Sequence, residues 1–317
     1  MHIVTGGAGF IGSNLVHALN EHGHKDVLVV DDLTDGSKFA NLRDCSIADY
    51  LDVLEFRAIL EADRDLPSIE GVFHQGACAD TTVTDGRAML EANFTFSKRL
   101  LEWILRRKSP FVYASSAAVY GNNHDTAESP EHEHPLNVYG YSKLLFDQYV
   151  RTRCGEPGST VVGLRYFNVY GPREAHKGKM SSMAYQLYKQ IADGGIGKLY
   201  KGHDGVGDGE QRRDFVHVRD VVNTNLYFMN GEPRRGIYNV GTGRARSFNE
   251  VARIIVDCVG DGRIEYIPFP ESLRGKYQEF TQADLTALRT ASCTTAFRDA
   301  TDGIAAAIRA WRQEDQA

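Results

Sequence analysis

The chain opens MHIVTGGAGFIG, and the run GGAGFIG at 6–12 limits what the rest can build. Ile3, Val4 and Thr5 form a short strand pattern before it. From Phe10 to His22, the residues Ile11, Leu15, Ala18 and Leu19 share one helical face, with Gly23 as the stop. Gly6, Gly9 and Gly12 satisfy G-x-x-G-x-x-G, and Gly7, Gly9 and Gly12 satisfy G-x-G-x-x-G. Between a strand and a helix, such glycines permit a tight turn and close approach of a pyrophosphate. The helix N-terminus then offers open N–H groups and the positive end of its dipole. A second strand pattern, DVLVVDD at 26–32, ends in Asp31 and Asp32. Together these features predict a dinucleotide site where the glycines alone would allow a bare strand-to-helix turn. The carboxylates favour a ribose diol, hence NAD; Lys38 and Arg43 could hold a 2′-phosphate, hence NADP. The residues by themselves leave both open.

Further apolar runs recur at 71–77, 111–117 and 160–171, separated by helical patterns such as 93–108. Strands alternating with helices predict an α/β fold: a Rossmann-type doubly wound parallel sheet, covered on both faces. After Gly171 glycines and charges mix, with strand patterns at 237–243 and 263–270 and a last helix over 303–312. The expected division is an NAD(P)-binding lobe over 1–168 and a smaller, mainly substrate-binding α/β lobe over 169–317. Segments near 212–250 are expected to return to the first lobe. With 36 basic and 42 acidic residues and a net charge of −6, the chain shows no basic excess for nucleic acid. Cys45, Cys78, Cys154, Cys258 and Cys293 are scattered without a CxxC pair, which predicts a reduced, cytoplasmic setting. No secretory leader pattern precedes the glycines, and no apolar run reaches the roughly 18 residues of a membrane span.

In YGYSKLLFD, Tyr139 and Lys143 are spaced four apart and share a helical face. A lysine beside a phenol stabilises phenolate and makes tyrosine a usable base near neutral pH. Alone, that spacing is better read as an aromatic packed beside a solvated lysine. YASSAAVYG adds Ser115 and Ser116 at the C-terminal end of a strand, where open α/β sheets present functional groups. His132 and His134, within 124–135, read as a polar, proline-flanked loop and not as a metal site. Cys78 reads as a small residue beside the cofactor.

Glycine turn, strand-end serine and YxxxK, in that order, resemble the extended short-chain dehydrogenase/reductase family. RYFNVYGPR (165–173), RRDFVHVRDVV (212–222) and YNVGTG (238–243) are similar to that family's later motifs. Its sugar-nucleotide dehydratases carry an acidic pair after the catalytic serine or threonine. Here Ala117 and Ala118 follow Ser116, which disfavours dehydration and leaves the epimerases.

Within the family, DDLTDGSKFANL (31–42), IADY (47–50), FHQGACADTT (73–82), REAHKGKM (173–180) and the stretch 264–289 resemble the epimerases of ADP-linked heptose. That resemblance implies inversion of a heptose C6 through a 6-keto sugar with bound NADP, a nucleotide-sugar substrate and a homo-oligomer. It implies Tyr139 and Lys177 as two acid/bases, Lys143 as the residue that binds the nicotinamide ribose and tunes Tyr139, and Ser116 as the residue that orients the sugar. Matching cofactor positions are Phe10, Ile11, Asp31, Asp32, Lys38, Gln75, Gly76, Ala77, Cys78, Ala79, Asn93, Val169 and Lys177. Matching substrate positions are Asn168, Lys179, Gln186, Tyr200, Lys201, Gly202, His203, Arg213 and Tyr277, where an arginine suits diphosphate oxygens. No metal is implied. Val53 replaces a lysine of that pattern near the adenosine phosphate, which counts slightly against NADP although Lys38 remains; Gly205–Gly209 adds a glycine-rich loop beside a substrate position, so a UDP-hexose 4-epimerase or a heptose on another nucleotide stays open. A non-catalytic NADP-sensing protein is the alternative of another class, against which the retained Tyr139 and Lys143 stand.

Overall fold

The computed structural model describes residues 1–153, 158–203, 205–271 and 277–316. Cys154 and residues 272–276 of the 264–289 stretch lie outside the described residues. The strands are β1 His2–Thr5, β2 Val27–Asp31, β3 Asp49–Asp52, β4 Gly71–His74, β5 Phe111–Ser116 and β6 Val161–Tyr166. They continue as β7 Asn168–Tyr170, β8 Ile196–Tyr200, β9 Arg212–His217, β10 Arg235–Val240, β11 Ala245–Ser247 and β12 Arg263–Ile267.

Seven strands form one sheet in the order β10–β6–β5–β4–β1–β2–β3. β1 pairs in parallel with both β2 and β4, β2 with β3, and β4 with β5. The chain runs outward through β2 and β3, then returns to the other side of β1. That reversal makes the C-terminal ends of β1 and β4 the switch point where open sheets bind ligands. β1, β2 and β4 are buried throughout, as unbroken apolar runs require of strands covered on both faces. Ile3, Leu28, Val72 and Phe111 share a core with Phe56, Leu100, Trp103 and Ile104.

Contacts divide the chain into two compact units. The first comprises Met1–Val119, Asn137–Arg165 and Val222–Tyr238; the second comprises Tyr120–Leu136, Tyr166–Val221 and Asn239–Ala317. No single cut at residue 168 reproduces this division. In the second unit, β9 pairs in parallel with β7 and antiparallel with β11, and β8 pairs in parallel with β12. Helices Met183–Gly194, Phe248–Val259 and Ala300–Asp315 meet in a core of Leu187, Ile191, Phe248, Ile255, Ile304 and Trp311.

Three sequence expectations need correction in detail. The 160–171 run is two strands: Phe167 still donates its N–H to the Val240 carbonyl of β10 at 3.1 Å, and then β7 pairs with β9. An apolar run does not register a change of strand partner. The 93–108 helix begins earlier, as an α-helical turn Gly86–Leu90 that runs through a π turn Glu91–Thr95 into the α-helix Phe96–Arg107. The last helix spans Ala300–Asp315, started by the Asp299 side chain, which accepts the Thr301 N–H.

Candidate active site

In the first unit the glycine turn packs backbone on backbone. Gly6 has φ +65°, and a Cβ there would lie 2.6 Å from the Gly76 nitrogen; a Cβ on Gly12 would lie 2.0 Å from the Gly6 oxygen. The helix Phe10–Glu21 starts at Gly9 with no side-chain cap and no acid in its first turn. Its leading N–H groups therefore suit a phosphate, and the residues fit a dinucleotide. Asp31 closes this turn: its carboxylate accepts from the Ala8 N–H at 2.7 Å, the Asp32 N–H at 2.7 Å and Lys38 Nζ at 2.8 Å. Asn41 donates to the Ala8 carbonyl from the other side. Asp32 stays exposed, and Thr34 holds its carboxyl below the usual range.

Gln75 to Ala79 follow β4. Gly76 N–H donates to Thr5 Oγ1 at 3.2 Å, and Thr5 Oγ1 meets His74 Nδ1 at 2.6 Å. His74 Nε2 meets Ser97 Oγ at 2.7 Å, and Ser97 donates to the Asn93 carbonyl. Ser97 has given its proton to Asn93, so His74 Nε2 carries hydrogen and Nδ1 accepts from Thr5. Burial first, and then the Lys143 charge, push the His74 pKa down to about 3, which keeps the ring neutral. The Asn93 side chain pairs with the Cys78 N–H and carbonyl and donates to Ser142 Oγ at 2.9 Å. It thereby ties the Gln75–Ala79 stretch to the helix Val138–Arg153 that bears Tyr139 and Lys143.

Ser116 ends β5 and shares a hydrogen bond with the Tyr139 phenol. Burial raises the Tyr139 pKa, the Ser116 bond works against that rise, and the Cys78 thiol adds to it. Lys143 donates to the Ala114 carbonyl at 2.9 Å, and burial lowers its pKa to about 8, with Asp147 opposing. The buried amine is turned to the Ala114 carbonyl, and burial and Ser116 act on the phenol in opposite directions. One turn beyond Lys143, Asp147 is fully buried. It accepts from Tyr113 Oη, Ser115 Oγ and both Nε and Nη2 of Arg165. Ser115 therefore anchors the strand end, while Ser116 interacts with Tyr139.

In the second unit two groupings form. Lys177 and Lys179 sit on the turn Ala175–Met180, and Gln186 Nε2 donates to the Lys179 and Ser181 carbonyls. Burial lowers the Lys177 pKa, and Glu174 opposes. The second grouping is aromatic. Arg213 is buried, lies 4.9 Å over the Tyr277 ring and hydrogen-bonds with Tyr277. Phe269 packs edge-on against Tyr277 and Tyr200, and its ring centre lies 3.7 Å from that of His203. Lys201 and Gly202 continue β8, with the Lys201 N–H on the Ile267 carbonyl and the Gly202 N–H on Asp208. Asn168 and Val169 lie on β7, and Asn168 accepts from Thr281 Oγ1 at 3.5 Å.

The profile of the NAD dependent epimerase/dehydratase family matches residues 2–241. The chain belongs to that family. A relative from Alkalilimnicola ehrlichii, named ADP-L-glycero-D-manno-heptose-6-epimerase, is 57% identical over 304 residues, 96% of this chain and 95% of its own. The crystal structure of a Helicobacter pylori protein of the same name matches with a TM-score of 0.84 and 34% identity, over 97% of this chain and 94% of that one. A Thermus thermophilus UDP-glucose 4-epimerase in complex with NAD matches with a TM-score of 0.82 and 29% identity, over 98% of this chain and 99% of that one.

For an epimerase/dehydratase, the turn of Gly6 and Gly12 with the open helix start would hold the pyrophosphate of NAD or NADP, and Asp31, Asp32 and Lys38 border its ribose end. Sequence reasoning missed His74, Asp147, Glu174 and Phe269. Asp147 had a usable signal, since it continues the four-residue spacing of Tyr139 and Lys143. His132 contacts Asp125 and the Ala127 carbonyl, and His134 the Glu131 carbonyl, all within their own loop. Among the described residues, His2, His24 and Glu70 bring possible metal-ligand atoms within 4.8 Å of one another, at the opposite end of β1 from the glycine turn.

Proposed function

We infer that this chain inverts C6 of ADP-D-glycero-D-manno-heptose to the L-glycero epimer through a transient 6-keto sugar. The 57% identity to the Alkalilimnicola ehrlichii heptose epimerase across nearly the full chain carries the reading. Ala117 and Ala118 after Ser116 supply no acid for dehydration, which leaves oxidation and re-reduction of one carbon. When bound, the nicotinamide dinucleotide supplies hydride acceptance and return, with no net redox change. Tyr139 takes or gives the C6 hydroxyl proton on one face, with Ser116 sharing the hydrogen bond. Lys177 serves the opposite face, because a carbonyl that has turned over presents its oxygen to a different side. A proton-transfer group works best with a pKa near the working pH. Burial moves the Lys177 amine in that direction, while the Tyr139 phenol needs a nearby cation to come down.

NADP is the favoured cofactor. Asp31 is already committed to Ala8, Asp32 and Lys38, so the ammonium of Lys38 faces the ribose end where a second free acceptor would serve NAD. Arg213, backed by Tyr277, would grip the substrate diphosphate. Lys179, Gln186, Asn168 and Tyr200 to His203 complete the sugar-nucleotide contacts.

Incubation with the ADP-heptose epimer, followed by NMR without added reductant, tests the reaction. Mass spectrometry of the cofactor released on denaturation tests NADP. Tyr139→Phe should keep the cofactor and lose about 10²–10⁴-fold in turnover. The likeness to the Thermus UDP-glucose 4-epimerase supports a second reading. Epimerisation of UDP-galactose with no exchange of the heptose would replace the first reading by the second.

A further inference from the structure

Glu174 is fully buried in the second unit, immediately before the turn Ala175–Met180 that carries Lys177 and Lys179. Its carboxyl accepts from the Gly171 N–H at 3.0 Å, the Ser182 N–H at 2.5 Å and the Ser182 hydroxyl at 2.9 Å. Its own carbonyl accepts from the Lys177 N–H at 3.0 Å. Ser182 in turn caps the helix Met183–Gly194 by accepting the Tyr185 N–H. One residue therefore joins the end of β7 and the start of the next helix through its carboxyl, and the lysine-bearing turn through its carbonyl. The turn itself bends at Gly178, with φ +51°, between the two lysines.

Three neutral donors could be met by other acceptors at less cost, since burying an ionised carboxyl is expensive. What a carboxylate adds is charge beside an amine. Lys177 works to keep Glu174 ionised against burial, and Glu174 works to keep Lys177 protonated against its own burial. The outcome places the Glu174 pKa at about 7, within the range where the enzyme must trade protons. Tyr185, held at about 12 by burial and by Asp315 and Glu314, also feels the charge of Glu174; Arg173 and His176 flank Glu174 in the chain, and Glu314 accepts the Arg173 N–H. Tyr185 does not change charge near neutrality, and the Lys177 charge acts on Glu174 directly.

We propose that Glu174 is a positioning residue for Lys177, fixing the turn that presents the amine and holding a negative charge beside it. The inference rests on the reading of Lys177 as the second acid/base, and its test is read on the lysine directly. Competitive acetylation of the full chain with trace acetic anhydride, across roughly pH 5 to 10, reports the free-amine fraction of Lys177 by peptide mass spectrometry. In the wild type the curve should carry an extra inflection near neutrality, where Glu174 changes charge. In Glu174→Gln that inflection should vanish, and labelling at mildly alkaline pH should rise roughly three- to tenfold as the amine loses its counter-charge. Glu174→Asp should restore part of the wild-type curve. In the epimerase assay Glu174→Gln should lower kcat, with a smaller rise in KM because the same turn carries Lys179. A folded Glu174→Gln protein with an unchanged Lys177 curve would overturn the proposal. If that variant does not fold, a single inflection in the wild type does the same. Full turnover in Lys177→Met would instead remove the acid/base reading and leave the labelling result on Glu174 to stand alone.

Discussion

Asp147→Asn breaks the most deeply buried ion pair near the catalytic helix, and its cost can be worked out in advance. Asp147 and Arg165 are both fully buried, with Nε and Nη2 of the guanidinium each 2.9 Å from Asp147 Oδ2. Asparagine keeps the shape and replaces one acceptor oxygen by an NH2 group. That group would face either the guanidinium together with the Ser115 hydroxyl, or the Tyr113 hydroxyl, all of them donors here. Leaving Arg165 buried without its counter-charge should cost about 3–5 kcal/mol. Against a typical total of about 5–15 kcal/mol, that is a large share. In urea the midpoint should fall by roughly 1–2 M. The Lys143 amine should also titrate below its present value of about 8, because Asp147 is the anion that supports its charge. The double change Asp147→Leu with Arg165→Met removes both charges and should recover most of the loss. About 1 kcal/mol would remain for each hydroxyl left without its acceptor. A loss below about 1 kcal/mol in the single variant, or a double variant no better than the single, would refute the reasoning.

Gly12→Ala sets a Cβ against the Gly6 carbonyl at 2.0 Å, where neither backbone can yield; it should cost about 2–3 kcal/mol or more and abolish cofactor retention, read by melting and by absorbance of the purified protein. Lys38→Ala should weaken NADP roughly ten- to a hundredfold relative to NAD in titrations, while an equal loss for both would argue against a 2′-phosphate contact. His74 has a folded pKa of about 3 against an ordinary 6.5, so the unfolded chain takes up a proton first as pH falls. Stability should therefore drop between pH 6.5 and about 3, by up to about 4–5 kcal/mol from this group, and His74→Asn should flatten that slope in denaturation series. His217, also depressed to about 3 by burial, should leave a residual slope of the same sign.

The parts of the site that could be read in advance are those written within one turn or one helix. Gly6, Gly9 and Gly12 share a strand-to-helix turn, Tyr139 and Lys143 share a helical face, and Ser116 ends a strand, so spacing alone locates each. The parts that could not be read lie between segments distant in the chain. Asp147 acquires its meaning from Arg165 and Ser115, and His74 from Thr5 and Ser97, 69 and 23 residues away. Phe269 joins Tyr200, His203 and Tyr277 only because β12 pairs with β8. Glu174 reads in sequence as one more charge in a polar turn, and folding makes it a buried acceptor for three donors.

The class of fold, the glycine turn and the candidates for proton transfer could all be read from the residues alone, because periodicity and short spacing survive in a one-dimensional record. Tertiary structure decided their working state. Burial pushes Lys143 down to about 8 and Glu174 up to about 7, and Asp31 is spent on the glycine turn rather than left free. A side chain's proton affinity and its free hydrogen-bonding capacity depend on what surrounds it in space, and those neighbours are brought together only when the strands pair and the helices pack.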